Sequence, residues 1–192
     1  MSPQTLRTLA SATVVGGVLW IATAVMNVAL GANDDKRLVL ETTGDYALFA
    51  LFAAALALTI PALVALHVHQ RGAAGRLGAA GVVVACAGVA GQFVVISTIL
   101  VNGGDGPWFD IAAPVAILTW FVGSILLGVA VHRAGLLPGW VGAGLPIAMV
   151  MAIVPAALGS SVVTGAYLIA VGAGIVRAAT AGGGARATVA RA

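Results

Sequence analysis

Asp, Glu, Lys and Arg fall only at the ends of long apolar stretches in this chain, never in the middle of one. A charged side chain at the centre of a bilayer costs roughly 2.5–3.5 kcal/mol on insertion scales. A spanning helix needs about 20 consecutive apolar residues. Only 8% of the 192 residues are charged and 61% are hydrophobic, whereas a soluble domain carries about 25% charged residues. Such a chain cannot cover a water-facing surface, so the expected solvent is lipid. The expected fold is all-α: a polytopic membrane helix bundle of six transmembrane helices in one domain, residues 1–180.

The expected spans are 9–30, 46–68, 77–101, 111–132, 140–158 and 162–177. The fifth and sixth are parted only by Gly159-Ser160-Ser161. One helix through both would far exceed the bilayer, so a tight hairpin is expected there. The first apolar run is about 22 residues, longer than the roughly 7–15 of a signal-peptide core, so it is expected to be retained. The Ala/Gly/Arg-rich tail, 181–192, is expected to be disordered.

Alternate connections sort the charges. Arg7, Arg71, Arg76, Arg133, Arg177, Arg186 and Arg191 fall on one side. Asp34, Asp35, Glu41, Asp45, Asp105 and Asp110 fall on the other, with Lys36 and Arg37 as a local exception. Because Lys and Arg favour cytoplasmic loops, both termini are expected in the cytoplasm. The net charge of +3 follows from the same bias, and no nucleic-acid partner is expected. Cys86 is the single cysteine, which excludes an intrachain disulfide.

Small residues recur every fourth position at Gly144, Ala148, Ala152 and Ala156 in the fifth span, and at Ala166, Ala170 and Gly174 in the sixth. Small faces let backbones approach closely in lipid, so these two are expected to meet. Pro61, Pro146 and Pro155 lie inside spans and can kink them. An internal similarity at an offset of 63 pairs Leu63, Val68, His69, Gly72, Ala80, Gly81 and Ala85 with Leu126, Val131, His132, Gly135, Ala143, Gly144 and Ala148. A parallel duplication of a two-helix unit would produce it.

The stretches LxALHxxxRxxxGRLGxxG, Leu63 to Gly81, and GxxLLGxAxxRAGxLPxW, Gly123 to Trp140, resemble uncharacterised small multi-pass membrane proteins common in high-GC bacteria. Those proteins usually carry a basic residue before the tryptophan, where this chain has Gly139. The resemblance implies a multi-pass fold and a bacterial inner membrane, and it brings no activity.

Chemistry-bearing motifs are absent from the sequence. There is no phosphate-binding Gly-rich loop, no His-Glu metalloprotease pair and no GxSxG. With no charge mid-span, proton pumps and voltage sensors are disfavoured. His67, His69 and His132 are expected at helix ends, where headgroups and C-terminal helix dipoles favour them. His67 and His132 remain weak haem candidates, since imidazole is a usual axial ligand. The acidic residues read as a solvated face, with a weak cation site as the sharper alternative. Asn27, Gln92, Ser97, Trp120, Thr164 and Tyr167 fall in the outer half of the bilayer. They are candidates for interhelical hydrogen bonds or for a polar-lined pocket taking a lipid or small apolar molecule. The expected function is that of a non-enzymatic accessory or lipid-binding membrane protein. The alternatives are a small transporter or permease subunit for an uncharged substrate, and a haem-binding redox protein. No cofactor or metal is expected. The expected partners are membrane lipids, with a membrane-protein partner or a second copy possible.

Overall fold

The computed structural model describes residues 3–30, 39–70, 72–153 and 160–189. It is an all-α bundle: α1 (Pro3–Leu30), α2 (Thr43–His69), α3 (Gly75–Asn102), α4 (Phe109–Ala134), α5 (Gly139–Ile153) and α6 (Ser160–Val189). Five of these carry apolar segments of 19 to 28 residues, long enough to cross a membrane. The fifth helix, α5, is described over 15 residues, about 22 Å at 1.5 Å per residue, short of the roughly 30 Å of hydrocarbon. Its expected continuation through Pro155 and Ala156, and Gly159 of the expected hairpin, lie outside the described residues. So do Asp34, Asp35, Lys36, Arg37, Arg71 and Arg191.

Local chemistry sets the helix ends. Thr42 caps α2 by a reciprocal box: its Oγ1 accepts Asp45 N–H at 3.2 Å, and Asp45 Oδ2 accepts Thr42 N–H at 2.8 Å. This satisfies donors that a helix start leaves orphaned. Gly103 and Gly135 end α3 and α4 in the left-handed region, at φ 73° and 65°, which a residue with a Cβ adopts at a penalty. The helix α6 runs on to Val189, whereas the sixth span was expected to close at Arg177 with a structureless tail from residue 181. Its apolar part ends at Ala178.

The helices form a closed ring in chain order, each packed on the next and α6 back on α1, with α2 also touching α4 and α6. The tightest seam joins α3 to α4. A Cβ on Gly81, Gly88 or Gly123 would strike the backbone of Leu127, Trp120 or Ala85 respectively. That register is antiparallel. Gly17 meets Gly165 and Gly172 meets Ala10, so α1 and α6 are antiparallel too, and the two chain ends share one face of the bundle. Exposed Arg7, Arg76, Arg133 and Arg177 stand at that terminal face. Glu41, Asp45, Asp105 and Asp110 stand at the opposite one, where Leu40 N–H donates to Gly103 O at 2.9 Å and Val39 bridges Gly104. For the described residues, the charge sorting read along the chain is thus a sorting between two faces of one body.

The expected small-residue contact takes a different form. Gly144 lies under the ring of Tyr167, and Ala148 O accepts the Thr164 hydroxyl at 2.7 Å. Ala152 is buried. On α6, however, Ala166, Ala170 and Gly174 are exposed, and nothing lies within 4 Å of a Cβ built on Gly174. The close approach on α6 is made instead by Gly165 and Gly172, and against α1. Spacing of four picks out a face of a helix but not its neighbour.

Candidate functional site

The polar residues inside the bundle are mostly turned onto backbone carbonyls. Trp20 Nε1 donates to Thr59 Oγ1 at 3.1 Å, and that hydroxyl donates to Ala55 O at 2.9 Å. Phe52 meets the Trp20 ring edge-on, with centroids 5.3 Å apart. Tyr167 Oη donates to Val141 O at 2.7 Å, which ties α6 to the start of α5, and Trp140 packs on the Tyr167 ring at 6.1 Å. Each of these three donors is satisfied within the chain, as burial among apolar side chains demands.

Three of the six pocket candidates converge. Trp120, Thr164 and Tyr167 line one interior void, together with Thr59, Leu63 and Met149. Its volume is about 20 Å³, room for roughly one water molecule and no lipid. Gln92, Asn27 and Ser97 are not among its walls. Gln92 is buried within the bundle, while Asn27 and Ser97 are half-buried on α1 and α3.

The larger space is elsewhere. A groove of about 250 Å³ opens on the outer surface between α4 and α5. Ile117, Leu118 and Phe121 form one wall, and Met149, Val150 and Ile153 the other. Among the described residues, no polar side chain lines it. Sequence reading missed it because these residues look like any lipid-facing positions. Only the divergence of two helices makes a groove of them.

The histidines do not share a site. Nδ1 of His67 lies 3.5 Å from a Cβ built on Gly78, beside Ala130. The His132 ring lies instead against Gly139, on the α5 side of α4. Ala130 and His132 are two residues apart on one helix, so they point about 200° apart around it. The two imidazoles therefore do not converge on one haem iron. Among the described residues no group of three or more His, Cys, Asp or Glu could hold a metal ion.

Two residues that sequence reading passed over are fully buried: Gln70, at the C-terminal cap of α2, and Ser124, on α4. Gln70 looks like a loop residue beside Arg71, and Ser124 like a neutral helix position. Burial of either follows from the ring of helices, which no local signal announces.

Compared with family models, curated proteins and solved structures, the chain matches none.

Proposed function

We propose that this multi-pass membrane protein is non-enzymatic and binds the acyl chain of a lipid-like molecule in the groove between α4 and α5. One observation carries the reading: a surface groove of about 250 Å³ between two apolar helices, lined among the described residues by six apolar side chains. Apolar walls hold a chain by contact area alone, at roughly 25 cal/mol per Å² removed from water, and give no purchase to a polar substrate. The polar pocket expected from Asn27, Gln92, Ser97, Trp120, Thr164 and Tyr167 has no matching volume, so the groove replaces it as the preferred site. We place the protein in a bacterial inner membrane with the Arg-rich face and both termini in the cytoplasm, following the positive-inside bias.

Native mass spectrometry of protein released from lipid bilayers tests this. Val150→Trp should fill the groove and lower the number of retained lipids. Val83→Trp, on an exposed face of α3, should leave it unchanged. Equal retention by both variants would remove the groove as the binding site.

A further inference from the structure

The groove between α4 and α5 has a direction. Gly128 faces Gly142, and the His132 ring lies against Gly139, so the two helices run antiparallel. Carried along that register, Phe121 falls opposite Met149 and Ile117 opposite Ile153, and all four residues wall the groove. Its Ile117–Ile153 end therefore points toward the face that holds Glu41, Asp45, Asp105 and Asp110. Ile153 closes the described part of α5, while α4 continues toward that face as far as Phe109.

The extension of α4 brings a carboxylate into line with the groove. A helix turns about 100° per residue, so Ile117 stands about 20° short of two full turns from Asp110, and Phe121 about 20° past three. Exposed Pro114 lies between them on the same side of the helix. Asp110 thus stands on the strip that forms the α4 wall, about 10 Å beyond Ile117. It is exposed, and no hydrogen bond or ion pair to a described residue engages its carboxylate. Asp45, by contrast, closes the capping box of α2. Pro114 has no N–H, so the backbone carbonyl of Asp110 also lacks its regular helical donor. Among the described residues, no Lys, Arg or His stands at this face.

We propose that the occupant of the groove is a single-chain amphiphile with a cationic ammonium head, its alkyl chain between α4 and α5 and its head at Asp110. The proposal rests on the groove reading above and adds the head group to it. From Phe121 to Asp110 the strip runs about 16 Å, a length that suits one extended alkyl chain. An ammonium carries positive charge and hydrogen-bond donors, whereas the Asp110 side chain offers negative charge and acceptors alone. A carboxylate head would meet like charge there, and a hydroxyl head would forgo the attraction. The pair stands open to water, so its discrimination is modest and salt weakens it.

Equilibrium binding to the full chain in nanodiscs of zwitterionic lipid tests this, with uptake by protein-free nanodiscs subtracted. The probes are radiolabelled dodecylammonium, dodecanol and dodecanoate, which share one chain length. Dodecylammonium should bind most tightly. Asp110→Asn should weaken it about three- to fivefold and leave dodecanol unchanged. Glu41→Gln, at the same face but off the strip, should change neither. Val150→Trp should remove the protein-dependent uptake of both. Dodecanoate binding as tight as that of dodecylammonium would overturn the ammonium head, and so would an Asp110→Asn protein that binds dodecylammonium like the parent. An equal loss in Glu41→Gln would overturn it too, by assigning the effect to general surface charge. Each of these results leaves the groove reading standing, whereas uptake unaltered by Val150→Trp would overturn both.

Discussion

Gly17 and Gly165 occupy each other's missing side chains: a Cβ on Gly17 would stand 2.6 Å from Gly165 O, and one on Gly165 would stand 2.5 Å from Gly17 O. The contact is reciprocal and backbone to backbone, so neither helix can give way without moving as a whole. It closes the ring by holding the last helix to the first. Gly128 and Gly142 repeat the arrangement between α4 and α5, each facing the other's carbonyl oxygen. In lipid, where burial of apolar surface no longer drives helices together, such close approach is a main source of packing energy.

Gly165→Leu should therefore separate α1 from α6. Overpacking of this kind costs about 1–3 kcal/mol, occasionally more. Thermal unfolding in detergent should fall well below that of Gly174→Leu, where open space surrounds the site. Equal midpoints would show that the reciprocal contact contributes nothing.

The α3–α4 seam should respond in the same way at Gly123, whose Cβ would meet the backbone of Val84 and Ala85. Gly123→Val should destabilise more than Gly72→Val, since no atom lies within 4 Å of a Cβ on Gly72. Detergent melting followed by tryptophan fluorescence is the measurement.

Thr59 offers a cleaner chemical test. Thr59→Val keeps the shape but removes the acceptor of Trp20 Nε1–H. The indole donor is then buried and unpaired, at about 1–3 kcal/mol. Thr59→Ser should retain most of the stability. A Thr59→Val protein as stable as the parent would show that the indole finds another acceptor.

Orientation is open to direct labelling. In a Cys86→Ala background, Asp105→Cys should react with an impermeant maleimide added outside cells, and Gly135→Cys should not. The reverse pattern would turn the bundle over while leaving its fold untouched.

Much of the architecture was legible in the chain. Apolar runs free of mid-span charge produced the helices, because hydrocarbon tolerates neither charge nor unpaired backbone groups. The alternation of Arg-bearing and Asp-bearing connections corresponds to the two faces of the bundle, because antiparallel neighbours return the chain to the same face at every second turn. Gln92 and Trp120 were singled out as intramembrane polar groups, and both are buried. The Thr42–Asp45 capping box was also present in the letters, as Thr-x-x-Asp, though it was not used to place the helix start.

Neighbours were not legible. Small residues at every fourth position mark a face, yet α6 turns Ala166, Ala170 and Gly174 outward and lays Gly165 and Gly172 on α1. The burial of Gln70 and Ser124, the parting of His67 from His132, and the groove between α4 and α5 share that origin. By itself the sequence determined which segments are helical, that they are long and apolar, and how the described charges divide between the two ends, since each follows from local composition and period. Which faces touch was decided only by the tertiary structure, because contact in a bundle depends on how six helices rotate and tilt to bring their smallest residues together, a condition no single segment carries.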